Sequence, residues 1–184
     1  MTSRADRECL LQIARNAIVK HVAGAAGAIL AELPESAALC RKGGAFVTIR
    51  FHGELRGCIG HLEANMPISA AVRECAVLAC SADPRFPPVN SAELSGLDVE
   101  VSLLGPIEPV TLPEEIEIGR DGLIVERAGQ RGLLLPQVAT ERNWDRETFL
   151  WQTCRKAGLP SDAWRRGAKV WRFEAEVFGE RQFK

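Results

Sequence analysis

Between Ala45 and Gly60 the chain alternates with a period of two and then reverses. Ala45, Val47, Ile49 and Phe51 interleave with Phe46, Thr48 and Arg50, the spacing that sends successive side chains to opposite faces of a β-strand. His52-Gly53-Glu54 follows as a turn, and Leu55-Arg56-Gly57-Cys58-Ile59-Gly60 returns as a second strand. A turn this short makes the pair antiparallel, because a parallel return needs a crossover of a dozen residues or more. Register then decides which side chains share a face, since a slip of one residue exchanges the two. A two-residue Gly53-Glu54 turn pairs Phe51 with Arg56 and Ile49 with Cys58, and puts Arg56 on the apolar face. A three-residue turn pairs Phe51 with Leu55 and Val47 with Ile59, leaving Arg56 and Cys58 beside Arg50 and Thr48. The hydrophobic pattern favours the three-residue turn.

The remaining chain arranges itself around this hairpin. Leu10, Ile13, Ala14 and Ala17 predict an amphipathic helix from Asp6 to about Val22, after which Gly24 and Gly27 blur the pattern. Pro34 and Gly43-Gly44 mark a loop. Asn65 is the expected N-cap, with Pro67 in the first turn, of a helix that buries Ile68, Val72, Cys75, Ala76 and Ala79 and ends near Ala82. A stiff Asp83-Pro84-Arg85-Phe86-Pro87-Pro88 loop leads to a strand with Leu97, Val99, Val101 and Leu103 on one face. Pro106, Pro109 and Pro113 predict an irregular stretch. Residues 122–127 and 132–135 form a hairpin about Ala128-Gly129-Gln130-Arg131, Pro136 starts a short helix, and Asp145 caps another carrying Leu150, Cys154 and Ala157. The final strand alternates Trp171, Phe173, Ala175 and Val177 against Arg172, Glu174 and Glu176. Hairpins dominate and strands do not alternate regularly with helices. The fold class is therefore α+β, a largely antiparallel sheet flanked by helices.

With 184 residues, 46% hydrophobic and 26% charged, the chain fits one globular domain, 1–184, with room for a second small lobe and no need of a disulfide or metal. A net charge of −1 argues against a protein built to neutralise nucleic-acid phosphates. The longest apolar stretch, Ala23 to Leu33, is too short and glycine-broken to span a bilayer, and no signal peptide precedes it. Six cysteines form no C-x-x-C pair and three histidines show no zinc spacing, so no metal and no cofactor is expected, and reduced thiols in the cytoplasm are the natural reading.

Leu55-Arg56-Gly57-Cys58-Ile59-Gly60, the LRGCIG motif, is the hallmark block of the AMMECR domain family. It is joined in order by Asp83-Pro84-Arg85-Phe86-Pro87-Pro88, Val99-Glu100-Val101-Ser102-Leu103, Asp121-Gly122-Leu123, residues 132–139 and residues 144–150. The chain resembles this family over nearly its whole length, and most closely its stand-alone prokaryotic form. The resemblance implies an α+β fold with a larger and a smaller lobe around a cleft. It also implies association with a Memo-type protein and a radical S-adenosylmethionine protein. It implies no settled reaction.

Cys58 is the sharpest chemical candidate. A cysteine nucleophile works as thiolate, a nearby cation such as Arg56 lowers its pKa, and His61 is the candidate base. Gly57 and Gly60 are placed to let a ligand approach the backbone closely. The competing reading is a structural cysteine in a close-packed strand. Arg56 and Arg85 suit a small anionic ligand through their planar forks, with Glu100 a further candidate at the site; the alternative for Arg56 is a salt bridge that positions the hairpin, to Glu100. Arg120-Asp121-Gly122 lacks a phosphate-loop pattern and reads as a tight turn. Three functions stay open: a thiol-assisted enzyme component, a non-catalytic adaptor, and an anion sensor.

Overall fold

The computed structural model describes residues 2–24 and 36–183; the loop expected at Pro34 and the glycine at 27 lie outside them. Six strands, in the order β2-β1-β3-β6-β4-β5, form one sheet: β1 (Ala45–Phe51), β2 (Glu54–His61), β3 (Leu97–Pro109), β4 (Asp121–Arg127), β5 (Gln130–Leu134) and β6 (Lys169–Gly179). The ladders β1–β2, β1–β3, β4–β5 and β4–β6 are antiparallel. The helices are α1 (Arg4–Ala23), α2 (Ala37–Cys40), α3 (Ile68–Ser81), α4 (Pro136–Glu141) and α5 (Arg146–Lys156). The α+β class thus holds. The chain divides into two compact units, the larger of Met1–Leu104 with Glu176–Lys184, the smaller of Gly105–Ala175. Among the described residues no helix is long and apolar enough to cross a membrane.

In the larger unit α1 begins two residues earlier than its apolar spacing indicates. Ser3 caps it, accepting from the Asp6 amide while Asp6 accepts from the Ser3 amide. Leu10, Ile13, Ala14 and Ile18 meet Val47, Ile49, Val99, Val101 and Leu103 in one core, together with the buried face of α3. Asn65 does not cap α3. Its side chain turns to Glu63 instead, Pro67 occupies the cap, and the Ile68 amide is satisfied by the Arg41 carbonyl. A neighbouring backbone can do the work of a capping side chain, which residue spacing cannot show.

The hairpin turn also differs from both expectations. Its two residues are His52 and Gly53, both with positive φ (51° and 91°), as a type I′ turn requires. Phe51 therefore pairs with Glu54 and Arg50 with Leu55, not Phe51 with Leu55. A bulge then shifts the ladder, so that Val47 opposes Ile59 and Thr48 opposes Cys58, the register the apolar pattern favours. Burial of Val47 and Ile49 outweighs turn length, and the bulge absorbs the mismatch.

β3 continues regularly to Pro109 where proline spacing predicts irregularity. The β1 ladder ends at Leu103, so a missing amide at Pro106 breaks no bond to β1. In β6 the expected apolar face fails in its second half: Phe178 is buried, and Glu176 accepts from the Thr2 amide and hydroxyl and pairs with Arg7. In the smaller unit Phe149, Leu150, Leu123 and Ile116 form a core against which Trp144 and Trp164 pack, whereas Trp151 is exposed. Asp145 caps α5 through the Thr148 amide at 2.8 Å, as its position predicts.

Candidate functional site

The hallmark strand β2 lies at one end of the sheet order, so one of its backbone edges has no strand beside it. An open edge is a liability that proteins cover. Here side chains of the 83–88 loop cover it. The Cys58 amide donates to Asp83 Oδ2 at 2.9 Å, and Arg85 Nη2 donates to the Cys58 carbonyl at 3.3 Å. Asp83 and Arg85 are themselves forked together, Nε to Oδ1 at 2.9 Å and Nη2 to Oδ2 at 2.6 Å. Asp83 also accepts the Arg85 amide at 3.1 Å, the two-residue-on bond of an Asx turn. Its carboxylate is only 2% exposed, against 46% for Arg85. The Arg85 hydrogen bonds, helped by the Cys58 and Arg85 amides and opposed by burial, hold the Asp83 carboxyl far below the usual carboxylate range.

Arg56 sits in the bulge and leaves the strand's alternation. Its fork closes on Glu93, Nε to Oε1 at 2.7 Å and Nη2 to Oε2 at 3.1 Å. Nη1 donates to the Pro87 carbonyl at 2.7 Å and Nη2 to that of Pro88 at 3.3 Å. The positioning salt bridge is real, but its partner is Glu93, not Glu100. Lysine keeps the charge and loses the fork. Arg56→Lys is therefore expected to lower unfolding free energy by about 2 kcal/mol, read from urea midpoints; a change under roughly 0.5 kcal/mol would show that the clamp contributes nothing.

Cys58 points to the sheet face away from α3, in a row with Thr48 on β1 and Glu100 on β3. The Thr48 hydroxyl donates to its Sγ at 3.3 Å. Burial pushes the thiol up, and the nearby Asp83 and Glu100 carboxylates push the same way, outweighing Thr48 and Arg85. His61 is an odd number of residues on and lies on the opposite face, 3.4 Å from Glu74 Oε1 of α3. That contact is close but not aligned as a hydrogen bond, so Nε2 remains buried without a hydrogen-bond partner. The structure therefore brings together Cys58, Arg85 and Glu100 and separates His61 and Arg56 from them.

The two motif glycines are filled by the protein itself rather than left for a ligand. A Cβ on Gly57 would stand 2.1 Å from the Ala79 carbonyl oxygen of α3. One on Gly60 would stand 2.2 Å from the Phe46 ring. The residues that sequence reasoning missed are Asp83 and Glu93; it placed Thr48 beside Cys58 but gave it no role. Asp83 had a local signal, an aspartate placed for an Asx turn ahead of an arginine; the Asn90–Glu93 capping-box spacing marks a helical start and gives no sign of the bond to Arg56.

The geometry defines an α+β protein whose hallmark strand is clipped on one edge and packed against a helix through a glycine. The model for the AMMECR1 family matches residues 11–178, and the chain belongs to that family. It is 47% identical to a protein of Methanothermobacter thermautotrophicus, covering 97% of this chain and 96% of the relative. It is 49% identical to Protein MJ0810 of Methanocaldococcus jannaschii over 76% of this chain and 74% of that protein. The crystal structure of the uncharacterized protein PH0010 from Pyrococcus horikoshii superimposes with a TM-score of 0.88 at 40% identity, covering 98% of this chain and 93% of that one.

Proposed function

We propose that this protein is a non-catalytic binding component, the AmmeMemoRadiSam system protein A, which works in the cytoplasm with a Memo-type and a radical S-adenosylmethionine protein. The observation that carries the non-catalytic part is the state of the hallmark strand. Its arginine is closed on Glu93 and two carbonyls, and burial pushes its thiol up despite the nearby Arg85, with the histidine on the other face. A nucleophilic cysteine needs a thiol whose pKa is lowered and a base within reach. An anion sensor built on Arg56 is disfavoured by the same closure. We assign partner docking to the half-buried Cys58 and Glu100, which flank the buried Thr48 in one row.

Two measurements test this. Alkylation by iodoacetamide at pH 7.5, followed by peptide mass spectrometry, is expected to modify Cys58 at least about tenfold more slowly than free cysteine; a faster reaction would sink the non-catalytic reading. Titration calorimetry with a purified Memo-type protein is expected to show binding that Cys58→Arg abolishes. Binding that survives this change would remove the face from the interface.

A further inference from the structure

The Asp121-Gly122-Leu123 block takes no part in the hallmark strand, and it builds a cavity of about 410 Å³ within the smaller unit. Pro106, Glu108, Arg120, Asp121, Arg172 and Glu174 bound it. That volume lies in the range of small-molecule sites. Asp121 anchors it, with a side chain only 2% exposed. Its Oδ1 accepts from Arg120 Nε at 2.8 Å, and its Oδ2 accepts from Arg120 Nη2 at 3.0 Å and from the Glu117 amide at 2.8 Å. Arg172 Nη1 stands 3.8 Å from the same Oδ2 and donates to the Glu115 carbonyl at 2.8 Å. The buried carboxylate thus closes the Arg120 fork, whose Nη1 pairs with Glu117 Oε2 at 2.5 Å, and stands in ion-pair range of Arg172. The strand pairing supports it: Asp121 opposes Glu174, and Gly122 opposes Phe173, whose ring fills the place of a Gly122 side chain.

The rim is held differently. Glu108, 58% exposed, accepts one hydrogen bond from Arg172 Nη2 at 3.0 Å. Glu174, 70% exposed, stands 3.7 Å from Arg120 Nε. Exposed single-contact pairs of this kind are weak and are exchanged readily for a better partner.

We propose that this cavity binds a small zwitterion of amino-acid size, its carboxylate on the Arg172 guanidinium and its ammonium between Glu108 and Glu174. A ligand carboxylate replaces Glu108's one bond to Arg172 with a two-bond fork and frees Glu108 for the ammonium. Charge separates the alternatives. Two guanidiniums (Arg120, Arg172) face four carboxylates (Glu108, Glu117, Asp121, Glu174), so the site already carries a surplus of negative charge. A phosphate or simple carboxylate adds to that surplus, and a simple amine leaves the guanidinium fork unused. A zwitterion engages both signs and adds no net charge.

The test is titration calorimetry on the full chain at pH 7 with glycine, L-alanine and L-serine, against propionate, inorganic phosphate and propylamine. At least one zwitterion is expected to bind with a Kd below about 1 mM, and each single-charge probe at least about tenfold more weakly. Arg172→Gln is expected to weaken zwitterion binding by about tenfold or more. Glu108→Gln, at an exposed residue with one contact, is expected to do the same without disturbing the fold, and keeps the test decisive if the Arg172 variant does not fold. Absence of binding by all three zwitterions, phosphate binding more tightly than any of them, or binding unchanged in Glu108→Gln would each overturn the proposal.

Discussion

Gly57→Ala is expected to destabilise the protein by about 3 kcal/mol and to lower its melting temperature by roughly 6–12 °C. A Cβ at this position lies 2.1 Å from the Ala79 carbonyl oxygen and 3.1 Å from its carbonyl carbon. Both are backbone atoms in the middle of the last turns of α3, so no side chain can swing aside. Either α3 moves off β2, opening the core at Ala76, Ala79 and Cys80, or β2 leaves β1. Both routes lose buried apolar contact. Gly129→Ala is the control: its Cβ meets nothing within 4 Å, and only the positive φ of 82° opposes it, at about 1 kcal/mol. Thermal melts of the two variants beside the parent decide the matter. A Gly57→Ala melt within about 2 °C of the parent would show that α3 does not rest on the strand at this point.

The second large effect falls on Asp83 and carries a pH signature. Asp83→Asn keeps the shape but removes the charge that neutralises Arg85, and an amide cannot accept from the guanidinium fork and the Cys58 amide as a carboxylate does. Arg85 is half-exposed and keeps its hydration, so the cost is that of the lost charge-assisted bonds and of the Cys58 amide left unsatisfied, about 2 kcal/mol. The sign follows from the direction of the shift. The folded carboxyl lies well below its ordinary value, held there by the Arg85 hydrogen bonds, so its stabilisation is fully present above about pH 4 and is lost as pH falls through the folded value. Urea unfolding of parent and variant at pH 7, 5, 4 and 3 is therefore expected to show a constant gap at the first two values that narrows at the last. A gap independent of pH would mean that Asp83 acts as a hydrogen-bond acceptor only.

These two residues also mark the boundary of what could be read beforehand. The alternation from Ala45 to Phe51 and from Leu97 to Leu103 is local and strong, and the strands, their apolar faces and the pairing of Val47 with Ile59 follow from it. The α+β class follows from the run of hairpins in the same way. The turn at His52-Gly53 did not, because a bulge can reconcile a two-residue turn with a register set by burial several residues away.

The chemistry of the LRGCIG strand was less legible still. Alternation places Arg56 and Cys58 on one face, and a cation beside a thiol suggests a thiolate. The bulge takes Arg56 out of that arrangement and delivers it to Glu93, 37 residues on, while Asp83 reaches the Cys58 amide from 25 residues on. Neither distance leaves a periodic trace in the sequence. What the amino-acid order determined by itself is the family, the strands and the face of β2 that carries Cys58. Only the tertiary structure decided that the motif's glycines admit Ala79 and Phe46, that its arginine is a clamp, and that its thiol is kept neutral. Periodicity records which way a side chain points, whereas charge state and available space depend on whatever distant chain arrives beside it.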